Sequence, residues 1–221
     1  MAEFEVVEHF ISINGEGARA GQLALFLRFK GCNLKCKYCD TQWANSTDAD
    51  CIIMTEEDIA DLIETSRIHN VTITGGEPLY RKNMDILLKK ISRISDVDIE
   101  IETNGSIDLT SYKNISDNIT FTVDYKLECS GMKEKMFVEN YKHLTKNDTV
   151  KFVVGSYEDL IQAKDIIEHI QETGVKLYLS PVFGSIEAKE IVQFMIDNKM
   201  NGVNLQLQLH KYIWNPSQRG V

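Results

Sequence analysis

At 221 residues with 43% hydrophobic side chains, the chain is long enough to bury a substantial core as one domain, residues 1–221, and its formal net charge of −9 argues against nucleic acid or an anionic membrane as a main partner. No run approaches the roughly 20 apolar residues that span a bilayer, and the opening MAEFEVVEHF lacks the basic-then-apolar layout of a signal peptide, so a cytoplasmic protein acting on a small molecule is expected. Five cysteines are an odd count and three crowd one short stretch, which favours a metal site in a reducing compartment over a disulfide framework.

In chain order, β-rich runs at residues 23–29, 71–74, 98–102, 120–124, 150–154 and 176–180 alternate with helical patterns. Thr55 opens T-E-E-D before Ile59, Leu62 and Ile63, and Ser156 opens S-Y-E-D before Leu160, Ala163, Ile167 and Ile170. Each reads as an N-cap followed by a helix with one apolar stripe. Ile86, Leu87, Ile91 and Ile94 supply another stripe, and Ile191, Val192, Met195 and Ile196 a further one. Alternating β and α units leave an open doubly wound sheet or a barrel. Six units are too few for a closed eight-stranded barrel of about 250 residues, so the predicted fold is α/β, a partial, open β/α barrel of about six units. In either architecture the chemistry gathers where strands end.

The first strong strand is followed by K-G-C-N-L-K-C-K-Y-C-D-T, which places Cys32, Cys36 and Cys39 on one loop. Three thiolates can hold three irons of a cubane and leave the fourth open, whereas a structural zinc wants four protein ligands. A zinc knuckle completed from afar by Cys51 or a histidine stays open on spacing alone. The next strand ends in G-G-E-P, Gly75 to Pro78, where glycines permit close backbone approach. Later strand ends carry I-E-T-N-G-S (101–106), V-D-Y-K (123–126) and L-S-P-V (179–182). Taken singly, Asn104 and Ser180 read as turn residues and Lys126 as solvated.

The C-x-x-x-C-x-x-C loop together with G-G-E-P resembles the radical S-adenosylmethionine (SAM) superfamily. The resemblance implies a 4Fe-4S cluster on Cys32, Cys36 and Cys39 whose open iron chelates SAM, and reductive SAM cleavage to a 5′-deoxyadenosyl radical. It further implies that Tyr38, Gly76, Glu77, Asn104, Asp124, Tyr125, Lys126, Ser180, Pro181 and Val182 line the cofactor. The N-terminal E-H-F-I-S-I-N-G-E-G, the run F-L-R-F-K-G-C-N-L, C-D-T and the ending L-Q-L-H-K-Y-I-W-N-P narrow the likeness, from Val6 to Pro216, to the 7-carboxy-7-deazaguanine synthase family.

That family converts 6-carboxy-5,6,7,8-tetrahydropterin to 7-carboxy-7-deazaguanine with loss of ammonia, towards queuosine and related deazapurines, using SAM and Mg²⁺ in a homodimer. An external electron donor, flavodoxin-like or ferredoxin-like, is expected. By matching position Ile13, Asn14, Gly15, Arg28, Thr74, His210 (with Lys211) and Pro216 would bind substrate, and Thr41 the Mg²⁺. Arg28 suits a carboxylate through its planar fork, though a strand-end ion pair is its plainer reading, as a loop cap is for Thr41. Five residues follow Pro216, and Asn14 stands where many relatives carry Gln. The rivals are a glycyl-radical-enzyme activase, which has no reason for N-G-E-G or H-K-Y-I-W, and a non-catalytic zinc-stabilised module. A hydride-transferring Rossmann enzyme lacks its G-x-G-x-x-G.

Overall fold

A computed structural model describes residues 1–221, apart from the side chain of Gln171. The chain opens with strands β1 (Glu3–Ile13) and β2 (Leu23–Phe29), then β3 (Ile52–Thr55) and helix α1 (Glu56–Ser66). Strand β4 (Asn70–Gly75), α2 (Met84–Ile91), β5 (Asp98–Thr103), the short α3 (Thr110–Lys113) and β6 (Ile119–Tyr125) follow. The second half holds β7 (Thr149–Val154), α4 (Tyr157–Ile170), β8 (Lys176–Pro181), α5 (Ala188–Asp197), β9 (Val203–Leu205) and the one-turn α6 (His210–Ile213).

All nine strands join one sheet in the order β3-β1-β2-β4-β5-β6-β7-β8-β9. From β2 through β9 every neighbouring pair is parallel, while β1 runs antiparallel to both β2 and β3. The ends do not meet, so the barrel is open. Every one of the six expected strands is present, and β1, β3 and β9 extend the sheet beyond the expected six. The helix starts follow the sequence pattern: Thr55 forms a reciprocal capping box with Asp58, and the Asp159 N–H donates to Ser156 Oγ at 3.3 Å, each satisfying N–H groups that the first turn leaves unpaired.

The two faces of the sheet differ in chemistry. Leu27, Ile73, Ile101 and Phe121 are register partners across β2, β4, β5 and β6, all within 1% of full burial. They belong to the layer packed against Ile59, Ile63, Leu87, Ile91, Leu160 and Ile191 of the helices. Each such side chain contributes about 1.5–3 kcal/mol. Register places Arg28 beside Thr74, Thr72 beside Glu100, Glu102 beside Thr122, and Asp124 beside Lys151 on the opposite face. Parallel strands covered on both sides by helices read as continuous apolar runs. These alternate, because their second face lines a polar interior.

Candidate active site

The cysteine loop leaves β2 and lies across the strand ends. Its first step is fixed by backbone bonds: Gly31 N–H donates to Ala44 O at 2.9 Å, and Glu77 N–H to Gly31 O at 2.9 Å. A Cβ on Gly76 would sit 2.2 Å from both Gly31 O and Asn45 Oδ1. The Gly-Gly turn is therefore required by the approach of the cysteine loop itself. Glu77, completely buried, accepts from Asn104 N–H (2.6 Å), Thr103 Oγ1 (2.8 Å) and Leu79 N–H (3.1 Å). Burial pushes its carboxyl up to about 7 despite those three donors. With its side chain engaged this way, Glu77 couples β4 to β5, and what it can offer a ligand is backbone.

Asn104 does more than make a turn. Its Oδ1 accepts from Ser106 N–H at 3.0 Å, while its Nδ2 faces Cys32 Sγ at 3.6 Å and Asn33 Oδ1 at 3.0 Å. Cys36 is buried, and Cys32 and Cys39 are partly so. Burial raises the thiols of Cys32 and Cys36, with Lys126 pulling Cys36 the other way. Lys126 is 8% exposed and pairs with Asp124 at 2.8 Å, so it is not solvated. Burial alone would lower its amine, yet Asp124, Tyr38 and Cys36 outweigh that and raise it. Its Nζ lies 5.8 Å from the centre of the Tyr38 ring. Tyr125 is not brought to this group by its side chain, which stacks on Phe152 (5.5 Å) and lies tilted against Tyr141 (5.1 Å) on the helix side.

Below the strand ends, the N-G-E-G segment plugs the interior. Asn14, 2% exposed, accepts from Thr72 Oγ1 at 2.8 Å. Glu16 pairs with Lys151 at 2.9 Å and accepts from Ser180 Oγ at 3.5 Å. A Cβ on Gly17 would lie 2.5 Å from Glu100 Oε1. Arg28 pairs through Nε with Glu8 at 2.7 Å, and its two terminal nitrogens make no hydrogen bond among the described residues. The ion pair read as its plainer role is present, and the fork beyond it is left for a ligand.

The C-terminus returns to the same mouth. Leu209 N–H donates to Gly15 O at 3.2 Å, a Cβ on Gly15 would meet His210 Nδ1 at 2.7 Å, and Lys211 pairs with Asp40 at 3.0 Å. Burial depresses the His210 imidazole. Thr41 Oγ1 donates to Asp40 Oδ1 at 3.1 Å, which leaves its lone pairs for a cation. Val182 N–H bonds Val154 O at 2.8 Å, holding Pro181 and Val182 at the end of β8. Ile13 ends β1 opposite Leu23, and Thr74 is buried beside Arg28. Pro216 is exposed, and Arg219 after it covers the Trp43 ring at 4.1 Å.

The interior charges Glu16, Glu100, Glu102 and Lys151 were not named as site residues, although Glu16 and Glu102 lie inside the motifs N-G-E-G and I-E-T-N-G-S. For Glu100 and Glu102 the signal is the alternation E-I-E within a parallel strand, and for Lys151 the single polar break in T-V-K-F-V-V. Among the described residues no His, Cys, Asp and Glu converge on a single-ion site. Cys51 lies apart beside Lys30 (3.9 Å) and Glu5 (3.8 Å), and Cys129 beside Val153 O (3.8 Å). The donor set thus fits a cluster held by three spaced thiols better than one zinc. Buried and unpartnered, Asn14 Nδ2 and Tyr38 Oη are groups that a polar ligand would satisfy.

Comparison with known proteins agrees with this arrangement. A model of the radical SAM superfamily matches residues 27–195. A 7-carboxy-7-deazaguanine synthase of Clostridium acetobutylicum is 50% identical over 219 residues, covering 99% of both chains. The chain belongs to the 7-carboxy-7-deazaguanine synthase family. A family member from Methanospirillum hungatei is 32% identical over 96% of this chain and 86% of its own. The crystal structure of QueE from Escherichia coli superposes with a TM-score of 0.72 at 21% identity, covering 93% of this chain and 94% of that one. In this family the cysteine loop is a radical SAM centre, which excludes the zinc-module reading.

Proposed function

We propose that this chain converts 6-carboxy-5,6,7,8-tetrahydropterin to 7-carboxy-7-deazaguanine with release of ammonia, as a radical SAM carbon–nitrogen lyase of deazapurine biosynthesis. One juxtaposition supports it above others: the N-terminal turn at Gly15, the His210–Lys211 pair and Asp40, next to Cys39, meet at one mouth. Cys32, Cys36 and Cys39 would hold the 4Fe-4S cluster. When bound, the cluster and SAM supply the one-electron chemistry that activates a carbon–hydrogen bond of the substrate.

The chain's own residues bind, orient and shield. Asn104 sets the position of Cys32 through its amide. Tyr38 and the strand ends at Gly76, Asp124 to Lys126 and Ser180 to Val182 would enclose SAM. A flat, polar heterocycle bearing a carboxylate would lie over Ile13, Asn14, Gly15 and Thr74, its carboxylate taken by the two free nitrogens of Arg28. His210, its imidazole depressed by burial, would offer a hydrogen bond, and Pro216 would border the substrate. Thr41 offers a hard oxygen for Mg²⁺ shared with the substrate. A homodimer, an external electron donor and a cytoplasmic setting, where thiols stay reduced, complete the reading.

The test is an anaerobic assay of reconstituted, reduced protein with SAM, Mg²⁺ and the pterin, read by mass spectrometry. Formation of 7-carboxy-7-deazaguanine, abolished by Cys36→Ala, is expected. SAM cleavage with an intact pterin would overturn the substrate, and failure to assemble any cluster would overturn the chemistry.

A further inference from the structure

The outer surface of the cysteine loop carries a charge opposite to that of the whole chain. Against a net charge of −9, residues 30–38 contain three lysines and no acid. Burial alternates along the loop: Leu34 and Cys36 face in, while Lys35 and Lys37 are exposed. The two ammonium groups therefore stand directly outside the segment that carries the buried thiol.

A second loop widens this face. Lys35 N–H meets Met132 Sδ at 3.5 Å, Lys37 N–H donates to Ser130 O at 3.0 Å, and a Cβ on Gly131 would touch Lys37 Cε at 3.2 Å. The turn Lys133–Lys135 is thereby set beside them, with Lys135 exposed and the Lys133 side chain 37% exposed. Phe137 N–H bonds Gly105 O at 3.1 Å, and Asn33 Nδ2 bonds Ser106 Oγ at 2.8 Å. Those contacts bring the exposed Phe137 and Val138 to the same surface. The four lysines outnumber the carboxylates Glu128 and Glu134 in it, and Glu128 lies 3.8 Å from Lys133.

We propose that this face docks an acidic one-electron carrier protein. The inference rests on the radical SAM reading, whose cluster must be reduced from outside. In the step the carrier loses one electron and the cluster gains it, with no bond or proton moved. A small apolar patch with a charged rim matches a transient redox interface. Opposite charge on the carrier would orient it over Cys36 and raise its association rate, by about tenfold or more at low salt. Nucleic acid is a poorer occupant, since two carboxylates and two apolar side chains interrupt the lysines.

The experiment uses the reconstituted holoenzyme and a bacterial flavodoxin as probe. Cluster reduction by flavodoxin hydroquinone is followed by stopped-flow absorbance over a range of salt, and flavodoxin binding by flavin fluorescence. The variants are Lys35→Glu/Lys133→Glu, the milder Lys37→Gln/Lys135→Gln, and Lys189→Glu on α5 as a remote charge control. The expected result is about a tenfold loss of rate and affinity at low salt in the charge-reversed variant. A smaller loss is expected in the neutral variant, with a flattened salt dependence in both, unchanged reduction by dithionite, and wild-type behaviour of Lys189→Glu. Rates and affinities unaffected in both double variants, or lowered equally by Lys189→Glu, would overturn the docking face. Absence of dithionite-driven SAM cleavage in the wild type would overturn the parent reading and the proposal together.

Discussion

Gly76 has no room for a methyl group. A Cβ there would stand 2.2 Å from Gly31 O and Asn45 Oδ1, and both belong to the segments that carry the cysteine loop. Gly76→Ala is expected to cost about 1–3 kcal/mol and to lower iron incorporation, checked by chemical denaturation and iron analysis. Glu100 makes a different kind of demand. Burial, with Glu102 beside it, pushes its carboxyl up to about 7 from 4.5, and Thr122 opposes this. A carboxyl raised on folding favours the protonated folded state, so its contribution is full below about 4.5 and lost as pH rises through about 7. Glu100→Gln carries no such dependence. Thermal unfolding should show wild type losing stability relative to the variant across that window, by up to roughly 1.4 kcal/mol per pH unit. The three thiols and the Gly-Gly turn were legible because their spacing is local. The alliance of Glu16 with Lys151, 135 positions apart, was not, since no local pattern encodes which strands become neighbours.

The element that completes the interior is the loop between β1 and β2. Gly17 N–H donates to Gln206 Oε1 at 2.7 Å and its carbonyl accepts from Gln206 Nε2 at 2.9 Å, while Gln206 N–H donates to Leu179 O at 2.9 Å. One side chain thus joins the two flanks of a sheet whose edges do not pair. Gln206→Ala strands a buried donor and acceptor and is expected to destabilise the fold by about 2 kcal/mol, measurable by urea unfolding with an unchanged m-value. The core strands were legible from their β-rich, alternating runs, and the helices α1 and α4 from Thr55 and Ser156. Strands β3 and β9, with four and three residues, are too short to show a period of two. The side-chain direction of Tyr125 was not legible for a related reason: a strand-end motif shows that backbone reaches the mouth, but not which face each residue takes.

On the scale of the molecule, the apolar layer and the polar interior are separate. Leu27, Ile73, Ile101 and Phe121 pack under the helices, whereas the thiols lie on a loop above the strand ends. Removing the cluster with a chelator should therefore leave the far-ultraviolet circular dichroism unchanged and the unfolding cooperative. A small zinc-dependent domain would unfold under the same treatment.

The clamp on Gly17 also has a meaning in time. Its partner Gln206 comes 189 residues later, and synthesis delivers the N-terminus first. The β1–β2 hairpin and most of the parallel ladder can form on a nascent chain, but the plug has nothing to lock onto until Gln206 has been made. His210 and Lys211 arrive later still. A polypeptide released early would thus carry every cysteine ligand and most of the strands, yet have an unsealed interior and an incomplete mouth. The plug and the mouth are joined only once residues 206–211 have been made.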